Sequence, residues 1–302
     1  MIANPKFAKQ PKPFWAHVRS LSAEIGYTAR KSASQASPTI LAPSLESIVA
    51  AMQNLTLGIN HLIDAENRAT SEGMLLVDYF KYRADTLNNT VKPLLMDKAE
   101  AKALYNKLKS RLKITHAVTK NKQKGKKSGI NYLTGIVNLL ITSELASAKC
   151  TDCDYAPRQL TTFIHQGRPL RTLSRWVDGA FPAAINPIAI WEVKEYYNTK
   201  TFGSRVADGV YESLLDGMEL EELRENHSEF HCEHLLIVDD RFTWWECGRS
   251  YLCRLFDMLH MGYVDEVIFG KETVDRLPIL AREWVRRYNN DPRRKSISSK
   301  SK

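Results

Sequence analysis

The run IAIWEVKEYYNTK at positions 188–200 limits the fold more than any other stretch. Its isoleucines, tryptophan and valine read as a strand buried in a sheet, yet Glu192, Lys194 and Glu195 fall inside it. Buried strands seldom accept charge without a partner or a task. Side chains alternate faces along a strand, so Ile188, Ile190, Glu192, Lys194 and Tyr196 share one face, and Ala189, Trp191, Val193, Glu195 and Tyr197 the other. Glu192 and Lys194 then stand roughly 6–7 Å apart at the end of an apolar row.

Just upstream, SRWVDGAFPAAINP carries Asp178 at the end of a strand-like run, followed by Gly179 and a wide turn with Pro182 and an Asn-Pro step. Pairing of the two runs as an antiparallel hairpin brings Asp178 toward the level of Glu192 and Lys194. Two carboxylates and one amine then converge. Two carboxylates can hold a hard divalent cation such as Mg2+, which prefers oxygen ligands. Such a cation polarises a phosphoryl oxygen and lowers the pKa of bound water, and a lysine beside it can orient that water or offset charge in the transition state. The plain alternative is a surface hairpin with a cross-strand salt bridge.

The spacing Asp178, then 13 residues, then Glu192-Val193-Lys194 on an apolar strand resembles the PD-(D/E)XK nuclease superfamily over roughly residues 129–240. The resemblance implies a restriction-endonuclease-like fold and a Mg2+-dependent phosphodiesterase, with Mn2+ as a substitute. Asp178 and Glu192 would bind the metal, and Lys194 would position the attacking water. Val177 stands where the motif's name has proline. Glu100-Ala101-Lys102 also fits the tripeptide, but in a helix-forming run with no preceding strand, and reads as a decoy. Superfamily members often add an acidic residue on the helix before the sheet. Here Glu144 lies i+4 from Leu140 on the stripe Leu133, Val137, Leu140, Ile141, Ala148, so it is expected to face a metal-bound water. On the helix GSRVADGVYESLLDG, Val206, Val210 and Leu214 mark the packing face, which leaves Asp208 and Glu212 as expected solvated residues.

The rest of the chain divides around this motif. Residues 1–42, rich in Pro, Ser, Ala and Lys, read as a loosely structured arm; residues 43–128 read as helical, with a stripe at Ile48, Met52, Leu55, Ile59 and Leu62. Residues 129–288 alternate short strands, including TTFIH and TLSRWVD, with helices, which predicts an α/β domain with a mixed central sheet flanked by helices. Residues 289–302 form a basic, polar tail expected to be disordered. Hydrophobic residues make up 43% and charged residues 25% of the 302, ordinary for a globular chain. No run approaches the length of a membrane span, and the N-terminus lacks the apolar core of a signal peptide. Five cysteines, an odd number, argue against a disulfide framework and for a reducing, cytoplasmic setting. Cys150 and Cys153 have zinc-knuckle spacing, but no second such pair exists to close the site. Trp244-Trp245 after the strand HLLIVDD reads as core rather than a base-stacking platform.

The expected function is therefore a DNA endonuclease of the restriction or antiviral-defence kind, cutting as a homodimer or with a helicase or methyltransferase partner. A non-catalytic nucleic-acid-binding module with a nuclease-like fold is the alternative. The net charge of +9 suits a polyanionic partner. Lys200 and Arg205, just past the motif strand, are candidate phosphate contacts. A second set lies in the acid-free run from Lys107 to Lys127, whose end carries Lys120, Lys122, Lys124, Lys126 and Lys127. Replacing these five lysines with Ser should weaken DNA binding and flatten its dependence on salt, by about one unit of log–log slope per lost contact. An unchanged slope in a salt titration would make the segment a linker.

Overall fold

The computed structural model describes residues 1–8, 10–28, 39–114, 129–197 and 204–291. The N-terminal region is helical: α1 (Lys12–Ile25), α2 (Leu45–Asn54) and α3 (Ser71–Asp85), the last running through a π-helical turn into the short α4 (Lys92–Leu94). Then come α5 (Lys98–Leu112) and α6 (Tyr132–Ser147), followed by β1 (Asp154–Tyr155), β2 (Thr162–His165), β3 (Arg168–Thr172), β4 (Gly179–Phe181) and β5 (Ala189–Glu195). The long α7 (Ser204–Asn226) leads to β6 (Glu233–Asp239), α8 (Arg249–Met261), β7 (Glu266–Phe269) and α9 (Thr273–Asn290). No helix among the described residues is long and apolar enough to cross a membrane.

Five strands form one mixed sheet in the order β1-β4-β5-β6-β7, while β2 and β3 make a separate hairpin. The β4–β5 pair is antiparallel, and β5, β6 and β7 are parallel. The parallel strands are apolar on both faces because helices cover both. Leu235, Ile237 and Trp191 pack toward α5, α6 and α9, whereas Leu236 and Val238 pack toward α7, α8 and the N-terminal helices. The expected mixed sheet flanked by helices, with a helical N-terminal region, is thus present.

Three expectations change. Residues 12–25 are not a loose arm: Phe14, Trp15, Val18 and Leu21 recur at helical spacing and are buried, and Pro13 starts the helix where its missing N–H costs nothing. The boundary at 42 therefore does not separate an arm from the helical region, which α3 joins to α8 through the buried Arg83. Arg83 contacts both carboxylate oxygens of Asp257 at 3.1 Å and the Ser22 hydroxyl at 3.2 Å. The stripe through Leu62 is not one helix either; α2 stops at Asn54, and Thr56 takes a left-handed backbone (φ 56°) that breaks it. Finally, TLSRWVD is not a strand beyond Thr172, where β3 ends. The partner of β5 begins after Asp178, not before it.

Gly179 is required by what lies over it. A Cβ there would sit 2.0 Å from the Trp191 ring, and that ring cannot swing away because it stacks on Trp284 at 5.7 Å and 5°. Gly179→Ala should therefore destabilise the fold by about 1–3 kcal/mol in urea unfolding, a penalty of overpacking. Unchanged stability would mean that the β4–β5 pair has slack.

Candidate functional site

The β4–β5 register, Gly179 opposite Trp191, decides where Asp178 goes. Its backbone N–H donates to the Trp191 carbonyl at 3.2 Å, which places it level with Glu192. The Asp178 carboxylate accepts from the Val193 N–H at 2.9 Å, and the Asp178 N–H also reaches Glu192 Oε2 at 3.3 Å. Glu192 Oε1 accepts from Lys194 Nζ at 2.8 Å and from Arg175 Nη2 at 2.6 Å. The structure therefore brings Asp178, Glu192 and Lys194 together, on the strand face expected for the last two.

Helix α7 closes over this face. Glu212 accepts from Lys194 Nζ at 2.9 Å, and Asp216, one turn further, accepts from Arg175 Nη1 at 2.6 Å. Glu212 is thus a member of the cluster at its solvent edge, with its side chain still 45% exposed as expected of a solvated residue. Gly209 permits the approach: a Cβ there would lie 2.8 Å from the Tyr196 hydroxyl and 3.2 Å from the Lys194 stem. Glu192 is 4% exposed, Lys194 8% and Asp216 0%.

Burial in this cluster sorts the charges. Burial opposes ionisation of Glu192, but Lys194 and then Arg175 outweigh it and hold the carboxyl below its usual range. Burial likewise disfavours the Lys194 ammonium, and Glu192 and Glu212 outweigh it, so the amine stays protonated and can donate but not act as a base. Asp178 goes the other way, pushed up to about 6 by burial and then by the Glu192 charge. Asp216 is pushed up to about 7, chiefly by burial, and its Oδ1 is buried with no hydrogen-bond partner.

The opposite face of β5 has a different occupation. Glu195 accepts from the Leu133 N–H at 2.8 Å and the Thr134 hydroxyl at 2.9 Å. It caps the first turn of α6, whose own N-cap residue, Asn131, makes no side-chain cap. At the neighbouring end of β6, Asp239 accepts from the Met96 N–H at 2.7 Å and from the Tyr197 hydroxyl, and burial pushes it up to about 7.

Glu144 is not gathered into the cluster. Its carboxylate pairs with Arg282 of α9 at 2.9 Å. The reason is that α6 is buried nearly all round, so its apolar stripe does not single out the side facing the sheet. Glu144 also sits ten residues beyond Thr134, about 15 Å along the helix from the turn that Glu195 caps. Lys120, Lys122, Lys124, Lys126, Lys127 and Lys200 lie outside the described residues, and Arg205 falls in the first turn of α7. Glu100 is accounted for by a capping box with Asp97 and ion pairs to Arg241 at 2.6 Å and Lys271 at 3.2 Å. Trp244 and Trp245 are fully buried. Sequence reasoning missed Arg175 and Asp216. The available signal was the i, i+4 spacing of Glu212 and Asp216, which puts two carboxylates on one face of the helix after the motif strand.

Fold and site together define an α/β protein with a buried carboxylate–lysine–arginine cluster at the end of a central strand. The chain belongs to the family described as Domain of unknown function (DUF7687), whose model matches residues 96–284 and so takes in the whole cluster. A second family model, Domain of unknown function (DUF7690), matches residues 1–90. No curated protein and no solved structure matches the chain.

Burial also lifts Glu195 to about 7 from 4.5, so the folded protein holds that proton more tightly than the unfolded chain does. Its contribution is favourable below about pH 4.5 and is lost as pH rises to about 7. Glu195→Gln can still accept from the Leu133 N–H through its oxygen and donate from its amide to the Thr134 hydroxyl, but it cannot ionise. The stability of the variant relative to the parent should rise across that window, by on the order of 1–3 kcal/mol, and be flat outside it. A difference in melting temperature that does not change with pH would remove the buried-acid assignment.

Proposed function

We propose that the chain is a Mg2+-dependent DNA endonuclease of the restriction or antiviral-defence kind, with Asp178, Glu192 and Lys194 as its working residues. The observation that carries this reading is the placement of Asp178 level with Glu192 by the β4–β5 pairing, with the Lys194 ammonium 2.8 Å from the Glu192 carboxylate. The order α6, antiparallel β4–β5, crossover helix α7, parallel β6 supports a restriction-endonuclease-like core.

The donor set fits a hard divalent cation. Asp178 and Glu192 raise one another's cost of ionisation, and the Asp216 oxygen is buried without a partner; added positive charge relieves both strains. Asp178 and Glu192 would hold the ion, which when bound would polarise a phosphoryl oxygen and lower the pKa of its water. Lys194, held protonated, orients a water and offsets negative charge gathering on phosphorus. Arg175 neutralises Glu192 and keeps α7 over the site. Through its exposed faces the protein would bind DNA, as a homodimer or beside a helicase or methyltransferase.

A second reading has one observation in its favour. Arg175 already bridges Glu192 and Asp216, and Lys194 bridges Glu192 and Glu212, so the charges balance as a structural network. That reading makes the chain a non-catalytic nucleic-acid-binding module.

The two separate in one experiment. The parent should nick or linearise plasmid DNA with Mg2+ or Mn2+ and not with EDTA. Asp178→Ala, Glu192→Ala and Lys194→Ala should each lose at least about 100-fold in rate, with folding checked by circular dichroism, while Glu100→Ala should cut like the parent. Full activity in Glu192→Ala would overturn the assignment, and DNA binding by a parent that never cuts would establish the second reading.

A further inference from the structure

Away from β5, two helices of the N-terminal region and the turn between α2 and α3 bring His17 of α1, His61 of the α2–α3 connection and Glu72 of α3 together. One donor atom from each lies within 4.8 Å of the others. We infer that these residues form a binding site for a divalent transition-metal ion of the zinc class.

Hydrogen bonding fixes which atoms are available. His17 Nδ1 lies 2.8 Å from the Pro13 carbonyl, which can only accept, so that nitrogen, 3.9 Å from Glu72 Oε1, carries the proton and Nε2 presents its lone pair. Metal-binding histidines are commonly oriented in this way, by a backbone carbonyl on the other ring nitrogen. His61 Nε2 faces His17 Nε2 at 2.8 Å. Without an ion, one proton between the two Nε2 atoms allows that approach; a cation takes its place, and each ring then keeps its proton on Nδ1. Zinc–nitrogen bonds of about 2.0–2.1 Å in a tetrahedral site set the two nitrogens about 3.3 Å apart. The rings are inclined at 47°, and to take the ion they need to part by about half an ångström and turn so that both Nε2 lone pairs converge on it.

The third donor is held in place by the same turn. Thr70 caps α3 by accepting from the Gly73 N–H at 3.1 Å, and its hydroxyl donates to the His61 carbonyl at 2.6 Å. The first turn of α3, with Glu72, is thereby tied to the His61 backbone. Two imidazoles and one carboxylate suit zinc, iron, cobalt or nickel better than magnesium or calcium. Three protein donors leave a coordination position for water or a ligand. Both imidazoles line a cleft of about 440 Å³ whose other walls include Pro13, Ala16, Met52 and Leu57. The ligand chemistry this suits is a small molecule with one oxygen or sulfur donor and an apolar body. The site lies within residues 1–90 and shares no residue with the Glu192 cluster.

The test uses the full chain, stripped with EDTA and desalted. Calorimetric titration with Zn2+ in excess Mg2+, which fills a carboxylate-only site, should show one equivalent bound, and Co2+ should give visible absorption bands of low-symmetry coordination. His61→Ala should abolish both. Glu72→Gln, at a side chain 41% exposed where the fold tolerates change, should weaken zinc by at least the about 10–100-fold that loss of an outer partner brings. The double variant Asp178→Asn, Glu192→Gln should keep the zinc equivalent that His61→Ala loses. The inference is overturned by a parent that takes up no stoichiometric zinc, by equal affinity in the parent, His61→Ala and Glu72→Gln, or by zinc lost only in the Asp178, Glu192 variant. Failure here leaves the DNA-cleavage reading standing, and the reverse also holds.

Discussion

Two charged side chains on the sheet face of β5 govern much of what surrounds them. Glu192 and Lys194 are nearly inaccessible to water, and an unpaired charge in such a place costs several kcal/mol. Arg175 must therefore come in from the loop before β4, and Glu212 and Asp216 from α7, so the cluster positions a loop, a helix and a strand pair at once. Gly209 is where the close approach of α7 to Lys194 that this needs would otherwise fail.

The two faces of one strand carry separate tasks. Glu192 and Lys194 turn to α7, while Glu195, one residue on, turns to α6 and caps it. Several acids near these strand ends, Asp178, Glu195, Asp216 and Asp239, are held at about 6–7, chiefly by burial. The C-terminal ends of β5 and β6 are thus a region where added positive charge is favoured, and in open α/β sheets such ends are where ligands bind.

The N-terminal helices are not an appendage to this domain. Phe14, Trp15 and Phe80 belong to the same apolar cluster as Leu236, Val238 and Phe256, and the Arg83–Asp257 pair is buried within it. The boundary between the two matched families, near residues 90–96, falls where α4 ends and α5 begins, yet the apolar core runs through it. The histidine pair, by contrast, lies at the outer side of these helices, on a cleft open to solvent.

Local chemistry made much of this legible in the sequence. Period-2 and period-3.6 patterns located β5, β6, β7 and the helices α3 and α5–α9, and strand alternation put Glu192 and Lys194 on one face and Glu195 on the other. The hairpin argument brought Asp178 to their level, although the strand begins after that residue. What sequence could not decide were relations between segments far apart in the chain. Whether Glu144 meets the sheet or Arg282 depends on how α6 rolls between α5, α9 and β5, and an all-round apolar helix carries no mark of that. Arg175 and Asp216 meet only because α7 folds back across β5, and Glu195 finds its task only because the start of α6 arrives there. Periodicity fixes the face of an element because it is set by backbone geometry; the partner on that face is set by packing of the whole chain.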